Sequence, residues 1–374
     1  MAAPTVQSIV SPDTSAVTSS GRLLALDAWR GLTVLLMLLV NNVALGSLTP
    51  AQLRHAPWGG GVTLTDMVFP WFLFCAGTAI PFVLAATRKA KMTPRDFTLK
   101  LASRTALLFL VGCFVVSAVN RSPTFGLGVL QVIALASLVG ALGGLLTVRP
   151  RLALAFALLL LYALVIHWYP LPGGVRGAFE EGRNAISHLN SAYLEPLGLR
   201  GMTSVVPTGA LVLLGSVAGE FARSADRLAF RRLLAFGLAL TLVGLLWSLV
   251  LPFNKPVWTS SYIAFSAGLG TLGLLACFSL ERFSNAGRWL WPLLVPGRNA
   301  LFAYVAPILF KVWVLQSWTV NWTGKSASLQ DSLLSLARSN LGSPWGGLAY
   351  TAGYILVAWL ALWWMYRKNW LWKL

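Results

Sequence analysis

The feature that most constrains this chain is its run of uncharged apolar stretches of about 20 residues, each long enough to cross the hydrocarbon core of a bilayer. They fall at about 31–50, 67–87, 101–119, 127–147, 152–169, 202–219, 233–252, 257–279, 299–318 and 346–366. Arg149-Pro150-Arg151 separates the fourth from the fifth. Composition agrees, with 57% hydrophobic and 11% charged residues among 374 and a mean hydropathy of +0.71. A soluble domain carries about 25% charged residues, so a string of soluble domains and a disordered binder are both excluded. The expected fold is all-α: a polytopic membrane protein of ten transmembrane helices. An extra half-helix at 289–296 is the alternative, because Pro296-Gly297 interrupts the run before the ninth span.

The net charge of +18, from 29 Lys+Arg against 11 Asp+Glu, would suggest nucleic acid in a soluble protein. Here the basic residues sit in short gaps between apolar runs, as the positive-inside rule requires, and no nucleic-acid partner is expected. With the N-terminus cytoplasmic, the inner gaps hold 18 Lys and Arg and the outer gaps 8, so both termini are placed in the cytoplasm. Residues 1–21, rich in Ser, Thr, Ala and Pro, read as a disordered cytoplasmic tail rather than a signal peptide, and 22–374 as a single transmembrane domain. Cys75, Cys113 and Cys277 lie inside apolar runs without CxxC or His–Cys spacing, so neither a disulfide framework nor a metal site is expected.

Ionisable residues inside spans cost about 2.5–3.5 kcal/mol each on insertion scales and default to functional candidates. Asp27 and Arg30, three apart, share a helix face and can neutralise each other. The stretch from Asn41-Asn42 through Arg54-His55 to Asp66 places amides at the outer end of span one, an imidazole in the outer loop and a carboxylate entering span two. Histidine suits general-base work near neutral pH, asparagine can donate to a developing oxyanion, and Asp66 can orient the ring. Taken alone, a loop histidine is most often a solvated surface residue, the reading given to His167 and His188. Pro252–Tyr262 is an outer hairpin dense in polar donors and aromatics; at Val295–Tyr304 the Pro-Gly pair is expected to break the helix and free backbone donors on the inner side. The outer loop at about 170–201 could cover a site. No Walker motif, GxSxG elbow or HExxH occurs.

The linked set LLALDAWRGLTVLLMLLVNN, RHAPWGGGVTLTDMVFPWFLFCAGTAIPF, GVLQ (128–131), PFNKPVWTSSY (252–262) and PGRNALFAY (296–304) resembles the heparan-α-glucosaminide N-acetyltransferase family of membrane proteins. The resemblance implies a membrane acetyltransferase that takes acetyl from cytosolic acetyl-CoA and delivers it to an amino sugar or glycan on the other side, with His55 at the position of the catalytic histidine and Asn41 at that of a catalytic asparagine. The chain differs in a longer segment between Asn41 and His55, and in Leu127 and Val132 where the family carries arginines.

The resulting expectations give His55 as general base, with Asn41 and Asp66 completing the catalytic group. Arg30, Arg104, Arg298 and Asn299 are the expected contacts to the coenzyme, and Asn254, Lys255 and Trp258 those to the acceptor. A two-step route through acetyl-Cys75 or acetyl-His55 is the less favoured mechanism, for want of a base at a readable spacing from Cys75. The competing functions are an N-acetylglucosamine or sugar transporter without chemistry, a role linked to bacterial-type members, and an O-acyltransferase acting on a sugar hydroxyl. The expected location is a bacterial inner membrane, surrounded by lipid; a homodimer stays open.

Overall fold

The computed structural model describes residues 23–224, 228–281, 286–321 and 326–372. The expected tail at 1–21 lies outside them, as do Arg22, Arg227, Arg282, Lys325 and Lys373 of the basic residues counted above.

The protein is all-α and polytopic, with two minimal antiparallel hairpins, β1 (Phe179–Glu180) with β2 (Arg183–Asn184) and β3 (Thr319–Val320) with β4 (Ala327–Ser328). Among the described residues, eight helices are long and apolar enough to cross a membrane: α1 (Leu24–Asn42), α2 (Leu64–Lys89), α3 (Pro94–Asn120), α5 (Val148–Trp168), α7 (Val205–Ser224), α8 (Ala229–Ser248), α9 (Ser260–Leu280) and α13 (Ser343–Arg367). Between these lie α4 (Val129–Gly143), the short α6 (Ala185–Leu189), α10 (Ala286–Arg298), α11 (Ala300–Phe310) and α12 (Leu329–Leu341).

Each of the ten expected spans meets a helix, with three differences. Span one starts earlier and stops at Asn42, because residues 43–63 turn away through two 3-10 turns, Gly46–Leu48 and Ala51–Leu53. The fourth, α4, has 15 residues, or about 22 Å, less than the roughly 30 Å of a hydrocarbon core. The ninth is a pair, α10 and α11, bent by 65°. The break falls at Asn299 (φ −120°, ψ 41°), and α10 runs through Pro292 and Pro296. Proline at 296 removes the N–H that would have bonded the Pro292 carbonyl, but that oxygen accepts from Trp359 Nε1 at 2.9 Å, so the helix continues. The expected half-helix is therefore present and longer than 289–296. The amphipathic α12, inside the last connecting segment before α13, was not among the expected elements.

The interior is a bundle in which α7, α2 and α9 are the most buried spans, with Phe74, Leu211, Leu213, Tyr262 and Leu274 fully enclosed. α1 and α10 approach so closely that a methyl group on Gly31 would overlap the Leu293 carbonyl oxygen, and one on Gly297 the Asp27 carbonyl oxygen. This contact fixes Arg30, whose Nε donates to the Gly297 carbonyl at 2.7 Å while its Nη2 reaches Asp27 at 2.5 Å. The freed backbone group put to use at the Pro-Gly step is thus an acceptor. Gly297→Ala is expected to cost about 1–3 kcal/mol as overpacking, read as a lower Tm in detergent; an unchanged Tm would contradict so close an approach.

Candidate active site

The N-terminal end of α2 is stitched to the loop before it. Thr63 Oγ1 donates to the Arg54 carbonyl (2.6 Å), Thr65 Oγ1 to the Gln52 carbonyl (3.1 Å), and the Leu64 N–H to Gln52 Oε1 (2.9 Å). Asp66, in the first turn, reaches back: its Oδ2 accepts from the backbone N–H of Thr63 (3.1 Å) and of Ala56 (3.0 Å). The first of these is the return bond of a capping box, signalled by the Thr63-x-x-Asp66 spacing. Its other oxygen, Oδ1, lies 2.7 Å from His55 Nδ1. The carboxylate is 2% exposed and the imidazole 63% exposed, so a buried, tethered acid holds an open ring. With Nδ1–H donated to Asp66, Nε2 carries the lone pair and is the basic nitrogen.

The hairpin after α8 completes the group. Lys255 Nζ is 3.1 Å from His55 Nδ1 and 3.5 Å from Asp66 Oδ1. Burial pushes the Lys255 ammonium down from its ordinary value, and the charge of Asp66 opposes the shift. Tyr262, at the start of α9, donates its hydroxyl to the Asp66 backbone carbonyl (2.5 Å). Trp258, at a positive φ of 55°, sets its ring edge-on to Phe69 and beside Tyr262. Asn254 is 3% exposed and spent on the turn, its Oδ1 accepting from the Val257 N–H and its own N–H donating to Thr259 Oγ1. Of the three expected acceptor contacts, Lys255 thus stands at the His55–Asp66 pair, Trp258 packs beside Phe69 and Tyr262, and Asn254 shapes their loop. The β1–β2 hairpin reaches over this end, Phe179 stacking obliquely on Trp58 and accepting from its Nε1 at 3.2 Å.

At the other end of α2 lies a cavity of about 340 Å³. Arg30, Lys100, Arg104 and Arg298 line it, with α2 residues from Phe72 to Thr87 along one wall, and no carboxylate is among its described walls. Arg298 stacks its guanidinium over Tyr366 at 4.9 Å, and its buried Nε has no hydrogen-bond partner among the described residues. Four cations and an unsatisfied guanidinium donor suit a polyphosphate, and the volume is that of a ligand pocket. Three of the four expected coenzyme residues therefore converge, and Lys100, which is not among the expected contacts, joins them. The fourth, Asn299, faces elsewhere: its amide holds the chain end, Nδ2 donating to the Trp370 carbonyl (2.7 Å) and Oδ1 accepting from the Trp372 N–H (2.9 Å).

Asn41 is exposed at the end of α1, where it lines a second cavity of about 320 Å³ with Asn42, Tyr304, Lys311 and Gln316. It makes no direct hydrogen bond to His55 among the described contacts; Asn41 ends α1, and His55 lies in the loop that leads from it to α2. Cys75 is wholly buried, which leaves an acyl carrier no approach there. Among the described residues no group of three or more His, Cys, Asp or Glu is placed to hold a metal.

A family model described as a domain of unknown function, DUF5009, matches residues 22–189, the segment that carries Asn41, His55, Asp66 and Arg104. The chain is 24% identical to the Homo sapiens heparan-alpha-glucosaminide N-acetyltransferase across 94% of its own length, and spans 60% of that protein. To the Mus musculus protein of the same name it is 32% identical over 113 residues, 30% of this chain and 16% of that one. The resemblance carried by the runs LLALDAWRGL, RHAPWGGG and PFNKPVWTSSY thus extends along nearly the whole chain, which is a relative of heparan-alpha-glucosaminide N-acetyltransferase.

Proposed function

We propose that this chain is a membrane acetyltransferase that accepts acetyl-CoA from the cytoplasmic face and acetylates an amino sugar or glycan presented at the outer face. The observation that carries this reading is the placement, along the single helix α2, of a His–Asp pair at one end and a cationic cavity at the other. Asp66 and Thr87 are 21 residues apart, about 32 Å along a helix, which matches a bilayer core. The cavity reaches inward to Phe72, six residues or about 9 Å from Asp66. Phosphates at Arg30, Lys100, Arg104 and Arg298 would leave a long acyl-bearing arm to run toward the outer end.

In this reading His55 Nε2 removes the proton from the attacking nitrogen, since an ammonium has no lone pair to attack with. Asp66 fixes the tautomer and stabilises the imidazolium that forms. The Asn41 amide stands by for the thioester carbonyl oxygen, and the coenzyme departs as its thiolate. The acceptor rests against Trp258 beside Lys255. The 18-to-8 excess of basic residues in the inner gaps supports the assigned sidedness.

Thermal unfolding in detergent tests the donor half of the proposal. Acetyl-CoA at a hundred times its Kd should stabilise the folded protein by about 2.7 kcal/mol. Coenzyme lacking its 3′-phosphate should shift the Tm less, and Arg104→Ala should weaken the response to both. A folded protein unmoved by millimolar acetyl-CoA would favour a transporter without acyl chemistry.

A further inference from the structure

Lys311 has been given no part in this account, yet it sits inside the ninth span, at the point where α11 passes into a π-helical turn, Lys311–Leu315. Turns of this kind arise where one residue too many is accommodated, and they concentrate at functional sites. Here the turn brings Lys311 Nζ to 3.1 Å from the carbonyl oxygen of Asn41, in the outer cavity that Asn41, Asn42, Tyr304 and Gln316 also line. No carboxylate is among the cavity's described walls, and Lys311 forms no ion pair with any described residue. An ammonium has three donors. The Asn41 carbonyl takes one, and no other acceptor for Lys311 is found among the described residues. An unpaired cation in a span is costly and is retained for function.

We infer that Lys311 is a catalytic residue of the proposed transfer, its ammonium donating with the Asn41 side-chain amide to the thioester carbonyl oxygen in the outer cavity. This rests on the acetyltransferase reading above. The amine lone pair attacks the carbonyl carbon and forms the C–N bond, while the C=O π pair moves onto oxygen, where Lys311 and Asn41 meet the new charge. As that oxygen re-forms its double bond, the C–S bond breaks and its electron pair leaves on the coenzyme sulfur. The nitrogen's proton passes to His55 and then to solvent or the thiolate. A preformed cation held in place is effective in this role because it needs no reorganisation as charge appears.

The bland alternative is that Lys311 serves only to satisfy one of the last, otherwise orphaned carbonyls of α1. A neutral donor would do that as well, so charge separates the two roles. In purified protein, Lys311→Met and Lys311→Gln are expected to lower kcat by about 10²–10³, with KM for acetyl-CoA changed less than about threefold; Lys311→Arg should recover to within about tenfold of wild type. A folded Lys311→Gln that keeps more than about a third of the wild-type kcat would overturn the inference and leave the acetyltransferase reading standing. So would failure of both neutral variants to fold, judged by loss of the acetyl-CoA-dependent Tm shift, because the role would then be structural. A wild-type protein that transfers acetyl to no acceptor would instead remove the reading itself, and the role of Lys311 with it.

Discussion

His55→Ala is expected to cut acetyl transfer by about 10²–10⁴ while leaving acetyl-CoA affinity within about twofold of wild type. The rate loss is that of a general base. The binding half of the expectation is geometric: His55 is in the loop before α2, whereas Arg30, Lys100, Arg104 and Arg298 gather toward the far end of that helix. Little stability should be lost either, since the ring is 63% exposed and its partner Asp66 keeps the Ala56 and Thr63 donors and Lys255. Single-turnover rates, with acetyl-CoA binding followed by calorimetry, check both halves. A variant that retains more than about a tenth of wild-type turnover would show that another group takes the proton.

Asp66→Asn is expected to cost about 10³–10⁴ in rate, as much as removing the base or more. A carboxylate accepts only, so it holds the Nδ1–H tautomer; an amide can turn its NH₂ toward Nδ1 and leave the proton on Nε2, where the base must be free. The same oxygen that faces His55 also lies 3.5 Å from Lys255 Nζ, so the neutral amide leaves that half-buried ammonium without its counter-charge. The variant should therefore lose stability as well, whereas His55→Ala should not. Measuring Tm and turnover for both variants separates the roles. Equal Tm values together with near wild-type transfer in Asp66→Asn would mean that the carboxylate serves the α2 cap alone.

The membrane architecture was legible because apolar runs of fixed length answer directly to bilayer thickness. The expected ion pair at Asp27 and Arg30 follows from a spacing of three on a helix, and the structure has it. What could not be read were the features set by partners distant in sequence. Pro296-Gly297 looks like a break, but Trp359 supplies the missing donor from 67 residues away and moves the bend to Asn299. That asparagine looks like a ligand for the coenzyme, yet it is committed to Trp370 and Trp372. Lys255 reaches the Asp66 carboxylate beside His55 from 189 residues further along the chain, a meeting no local pattern encodes. The link between His55 and Asp66 was within reach, since both fall in one short loop-to-helix segment and Thr63-x-x-Asp66 marks the helix start that brings them together.

Donor and acceptor are expected to meet from opposite faces of the membrane. Proteoliposomes with a single protein orientation, fixed by labelling a cysteine introduced at exposed Lys89, test it most directly. Isotopically labelled acetyl-CoA is supplied on the side of Lys89, glucosamine and other amino sugars on the other, and products in each compartment are identified by mass. Labelled N-acetyl product is expected on the side of His55, and none from His55→Ala. Passage of unmodified sugar with no acetylated product in either compartment, or equal product when both substrates are confined to the side of Lys89, would contradict it.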